Sequence, residues 1–125
     1  MVSMLIAALL AAAPADPVAG RWEGSSLCQV RPSPCRDENV VYHAVAMGSG
    51  RYTVRMDKVV GGQEQEMGTL DAVFDAASGT LSAVTHDRAG RPGQWIFTVK
   101  GESIEGRLVI EGGQVYRLIS VRRTP

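Results

Sequence analysis

The sequence predicts an all-β fold, and within that class an eight-stranded antiparallel up-and-down barrel. Three observations lead there. Apolar and polar residues alternate at period two along most of the chain, the pattern of strands with one face toward a core and one toward water. Glycine-rich turns interrupt that alternation at short intervals. Nothing after Asp16 repeats at the 3.6-residue period of an amphipathic helix.

The strands follow in order. A run over 20–28 leads to one over 39–47, where His43 interrupts an otherwise apolar stretch. Residues 51–59 put Tyr52, Val54 and Met56 on one face, and 67–75 put Leu70, Ala72 and Phe74 inward with Val73 outside. A fifth strand over 80–86 turns Leu81 and Ala83 inward, and a sixth over 94–100 aligns Trp95, Phe97 and Val99. A seventh over 103–111 aligns Ile104, Gly106, Leu108 and Ile110, and an eighth runs over 114–122. Between them fall Gly48-Ser49-Gly50, Gly61-Gly62, Ala77-Ser78-Gly79, Ala89-Gly90, Gly101-Glu102 and Gly112-Gly113, where glycine supplies the positive φ of tight turns. Connections this short make a meander, and a meander of eight strands loses its two exposed edges by closing on itself. A two-sheet β-sandwich is the runner-up, because it needs longer crossovers.

Residues 1–15 read as a signal peptide and 16–125 as a single barrel domain. The leader carries none of the chain's 26 Lys, Arg, Asp and Glu residues. Its apolar run from Met4 to Ala13 has the length of a signal-peptide core and about half that of a membrane span, so no transmembrane anchor is expected. Two A-x-A sites overlap, ending at Ala13 and Ala15; Pro14 would directly follow the first cut, which favours cleavage after Ala15. A periplasmic or secreted protein of residues 16–125 follows, with about 14 residues for each strand and its turn.

In an oxidising compartment Cys28 and Cys35 pair, closing a loop worth roughly 2 to 3 kcal/mol by chain entropy. A metal on these thiols would need two more ligands, and the only histidines are His43 and His86; no metal or other cofactor is expected. The 13 basic residues cancel the 13 acidic ones, which argues against nucleic acid or an anionic membrane as partner. Asp71 and Asp75 share a strand face but stand roughly 13 Å apart, too far for a catalytic carboxylate pair. His86 and Asp87 are adjacent and so point to opposite faces, and His43 reads as a hydrogen-bonded or surface histidine. No nucleophile elbow, zinc helix or phosphate loop is present, so an enzyme is not expected.

A binding module for a small apolar ligand is the leading functional expectation. A short eight-stranded barrel is filled by side chains or just wide enough for one small ligand. Ala72, Ala83 and Gly106 are the inward positions that leave space, and Tyr52, Phe74, Trp95 and Phe97 are the expected ligand-lining residues. The alternative is a protein-interaction module, or a protease-inhibitor-like barrel presenting Arg31 on the Cys28 to Cys35 loop to an exported partner. Pro32 after Arg31 lacks the amide hydrogen that a scissile bond presents, so the loop reads better as a strap over the barrel end. A monomer is expected.

Gly20-Arg21-Trp22 at the start of the first strand resembles the G-x-W motif of lipocalins and the wider calycin barrels. The resemblance implies a lipocalin-like barrel in which Trp22 packs across the floor against an arginine of the last strand. Arg117 and Arg122, on opposite faces of that strand, are the candidates; Arg122 is named with Trp22 as the structural residue, and the choice between the two stays open. The run from Trp22 to Tyr42 also resembles small exported bacterial proteins.

Overall fold

The computed structural model describes residues 15–125; the expected leader, apart from Ala15, lies outside the described residues. Eight strands follow in chain order: β1 (Gly20–Cys28), β2 (Glu38–Gly48), β3 (Arg51–Val60), β4 (Gln63–Asp75), β5 (Thr80–His86), β6 (Pro92–Lys100), β7 (Ser103–Ile110) and β8 (Gln114–Thr124). A short 3-10 turn, Glu111–Gly113, joins the last two. Each strand pairs antiparallel with the next, and β8 returns to pair with β1 from Arg21 opposite Thr124 to Cys28 opposite Arg117, so the sheet closes into a barrel. Closure requires a close approach at Gly24, where an added Cβ would lie 2.8 Å from the Val121 Cα.

The strand boundaries agree with the sequence pattern to within two residues except at β4, which begins at Gln63 rather than at 67. Gln63-Glu64-Gln65-Glu66 has no apolar face and therefore no period-two signal. These residues pair with Asp57–Val60 all the same, as a ribbon held by backbone hydrogen bonds. The alternation otherwise resolves as expected: the interior is filled by Val54, Ala72, Leu81, Phe97, Ile104 and their neighbours, all buried.

The two barrel ends differ. The turns after β2, β4 and β6 lie at one end, which residues 15–19 close as a floor. Asp16 fixes this segment: its Oδ1 accepts the amides of Val18 and Ala19, each at 2.8 Å, and the Tyr52 hydroxyl, also at 2.8 Å. Trp22, fully buried, donates its indole N–H to the Val18 carbonyl at 2.9 Å. The arginine over its ring is Arg123, with the guanidinium carbon 4.4 Å from the ring centroid. The assignment of Arg122 is corrected here. Ile119, Val121 and Arg123 alternate on the inner face of β8, while Arg122 is exposed on the outer one. Arg123 also donates to the carbonyls of Ala19 and Pro17 and pairs with Glu102 at 3.2 Å, tying the floor to the last strand.

The other end stays open, between the β1–β2 strap, the β5–β6 loop and the β7–β8 turn. Here β4 and β5 diverge: their pairing is confined to Val73, Phe74 and Asp75 opposite Ser82, Leu81 and Thr80, beside the floor. Toward the open end a lateral gap separates them.

Candidate ligand-binding site

In the open half, the interior contains a hollow of about 250 Å³. Met56, Leu70 and Trp95 form its apolar wall, Met67, Gly68, Thr69 and Thr85 border it along the β4–β5 gap, and Ser26, Glu38, Tyr42 and Arg117 form a polar wall. Thr85 and Trp95 also line a larger vestibule of about 990 Å³ at the barrel mouth, with Leu108, Ile110, Tyr116 and the β5–β6 loop. A third hollow, about 540 Å³, lies between the strap and the end of β3 and shares Glu38 and Arg117 with the inner one.

Strand alternation explains the polar wall. Arg117 lies opposite Leu108 on β7, an inward position in the same regular alternation as Ile119 and Val121; the register irregularity that leaves Tyr116 unpaired comes only beyond it. Its side chain is only 13% exposed and faces Glu38, 18% exposed, with Nη2 to Oε1 at 3.2 Å. Nη1 donates to Ser26 Oγ at 3.1 Å and to the Arg36 carbonyl at 3.0 Å. Burial holds the Tyr42 phenol well above the ordinary tyrosine range; the Arg117 charge opposes that shift and Glu38 adds to it. Tyr42 is therefore a neutral hydroxyl beside a matched pair of opposite charges. Such a wall can orient one polar group of a ligand whose remainder lies on Trp95, Leu70 and Met56.

Of the four expected lining residues, only Trp95 reaches these hollows. Tyr52 and Phe74 pack edge to face at the floor, with centroids 6.4 Å apart, and the Tyr52 hydroxyl is engaged by Asp16. Phe97 stacks on Trp95 at 5.9 Å and meets Tyr42 edge-on at 6.3 Å, filling the barrel's middle. Nor does Gly106 leave space, since an added Cβ would lie 2.9 Å from Phe97 Cε1: the ring occupies that volume. Period two fixes which face a side chain takes, but not its height along the barrel, and Tyr52 and Phe74 lie at the floor ends of β3 and β4. Arg117, Glu38 and Tyr42 were not expected at the site. The available signal was the alternation Arg117, Ile119, Val121, Arg123, in which two arginines bracket two core positions.

Cys28 and Cys35 form the expected disulfide, and both are buried. The strap lies against the barrel end: the Gln29 amide donates to the Tyr116 carbonyl at 2.9 Å, and Asp37 accepts the Cys28 amide at 2.8 Å. Arg31 is turned onto Asp37, with Nη2 to Oδ1 at 2.9 Å. On the outer wall, His43 is hydrogen-bonded through Nε2 to Glu64 Oε1 at 2.7 Å and stands 3.4 Å from Asp57 Oδ2.

Among the described residues, no helix is long and apolar enough to cross a membrane. No protein-family model and no curated protein matches the sequence. Among solved structures, the chain is similar to a crystal structure of a variant of the fluorescent protein UnaG, with a TM-score of 0.56 and 12% identity over 87% of this chain and 97% of that one. At that identity the likeness concerns the fold alone, which is an all-β, closed, eight-stranded up-and-down barrel of the calycin type.

Proposed function

We propose that this chain is an exported carrier of a small, mainly apolar molecule, bound without chemistry in the open half of the barrel. The observation that carries the reading is the composition of the inner hollow: Trp95, Leu70 and Met56 on one side, and the shielded Arg117–Glu38 pair with Tyr42 on the other. About 250 Å³ is below the usual size of a drug-sized site. The ligand therefore inserts its polar end and extends into the vestibule over Trp95. Export is supported by the charge-free leader and by the disulfide. An eight-stranded barrel of this kind is just wide enough to hold one small ligand where side chains leave it space. The strap then acts as the rim of the site, since Asp37 engages Arg31 and Arg36 lends its carbonyl to Arg117.

The test is titration of the purified protein with fatty acids and apolar dyes of graded length, followed by Trp95 quenching and native mass spectrometry. Saturable one-to-one binding is expected, weakened about tenfold or more in Arg117→Met through loss of charge-assisted hydrogen bonds. A protein that none of these ligands quenches, and that carries nothing when purified from its own host, would end the proposal.

A further inference from the structure

The outer wall carries a constellation independent of the ligand site. His43 on β2, Asp57 on β3 and Glu64 on β4 each direct one ligand atom to a common point, all within 4.8 Å of one another. Asp57 lies almost fully buried, 2% exposed, beside the irregularity where Met56 opposes Gly68 and Asp57 opposes Glu66. Glu64, on the Gln63–Glu66 ribbon, reaches back along the outer wall to His43, its Oε1 2.7 Å from Nε2.

The charges around this point are unevenly used. Arg55 holds Asp57 from one side, with Nε to Oδ1 at 3.2 Å and Nη2 to Oδ2 at 3.1 Å. Arg21 approaches the far oxygen of Glu64, Nη2 to Oε2 at 3.9 Å. This leaves Glu64 Oε1 and Asp57 Oδ2 both facing His43 Nε2, at 2.7 and 3.4 Å. A single Nε2 hydrogen directed at Glu64 cannot also bond Asp57 well. A divalent cation in its place would satisfy all three atoms at once.

We propose that His43, Asp57 and Glu64 bind a divalent transition-metal ion of the zinc class, with water completing its coordination. One imidazole nitrogen and two carboxylate oxygens suit such ions better than calcium or magnesium, which take oxygen alone. Zinc bonds of about 2.0–2.2 Å place tetrahedral ligand atoms about 3.3 Å apart. The His43–Asp57 separation already has that value, and the His43–Glu64 separation must open by about 0.6 Å to reach it. Glu64 is partly exposed on a ribbon without packed faces, so its side chain is free to make that change. Arg55 keeps its hold on Asp57, because each carboxylate oxygen has a second lone pair. The bound ion would tie β2, β3 and β4 together on the outer wall.

The test is calorimetric titration of EDTA-treated protein with zinc chloride, with magnesium chloride as control, alongside melting curves and nitrogen NMR of the histidine rings. One zinc per chain is expected, with displacement of the His43 Nε2 resonance and a rise in Tm of about 10 °C at a hundredfold excess over Kd. Glu64→Gln, a change at a partly exposed position, is expected to reduce zinc affinity at least tenfold, and His43→Gln to abolish the ring shift. No saturable binding below millimolar zinc would overturn the proposal. So would equal affinity in Glu64→Gln, or a resonance shift at His86 in place of His43.

Discussion

Trp22→Phe separates a structural floor from a ligand platform. Phenylalanine keeps a ring under Arg123 but loses three contributions. The Val18 carbonyl, which accepts the indole N–H at 2.9 Å, is left buried without a donor, at about 1 kcal/mol. The guanidinium 4.4 Å above the ring meets a weaker π-face, which costs about 0.5 to 1 kcal/mol. The missing part of the indole leaves a hollow in a site 1% exposed, for about 1 kcal/mol more. The total, about 3 kcal/mol, is a large share of the roughly 5–15 kcal/mol that stabilises a domain, and it lowers Tm by about 10 °C in one of this size. The assay is urea and thermal unfolding followed by circular dichroism, with ligand titrations on the same sample. Trp95 becomes the sole tryptophan in this variant, so its emission reports on the opposite barrel end alone. A Tm within 2 °C of the parent, or an unchanged Tm with lost ligand uptake, would refute the reasoning.

Gly106→Ala is expected to destabilise by about 1–3 kcal/mol, because the new methyl group falls 2.9 Å from Phe97 Cε1 and 3.1 Å from the Ile96 carbonyl. Through the Phe97–Trp95 stack it should also alter the near-ultraviolet dichroism of Trp95, and parent-like spectra and stability would contradict this packing. The Asp16–Tyr52 latch predicts a stability plateau with two falling limbs. Burial raises the Asp16 carboxyl, but the Ala19 and Val18 amides, the Tyr52 hydroxyl and Arg123 outweigh it, so the folded value lies below the ordinary 3.8. Its contribution is present above that value and is lost as pH falls through the lower one; Asp16→Asn should flatten this acid limb in pH-dependent melts. Tyr52 is pushed up to about 12, first by burial and then by Asp16, so its contribution is complete below pH 10 and is lost as pH rises toward 12. Tyr52→Phe should reduce the alkaline limb, and an unchanged limb would contradict the latch.

Much of this was legible in the chain because strand alternation is a local property. Tyr52, Val54 and Met56 show their inward face within seven residues, and the glycine pairs mark the turns between strands. The disulfide was legible because two cysteines seven apart, in a chain whose leader reads as a signal peptide, have few other expected fates. The ribbon of Gln63–Glu66 was not, since backbone pairing leaves no trace in a segment polar on both faces. Nor were the roles of Arg117 and Arg123, two inward arginines of one strand directed to opposite barrel ends. The resemblance asked only for an arginine of the last strand, and Arg122, named for it, has outward parity.

The sequence by itself determined the number of strands, the face each side chain takes and the disulfide, because each depends on residues close together along the chain. Only the tertiary structure decided the height of each inward residue, and with it the division into a floor of Trp22, Tyr52 and Phe74 and an open half around Trp95 and Arg117. That height is set by hairpin register and by closure between β1 and β8, which join residues about a hundred positions apart. Local alternation carries no information about pairings at that range.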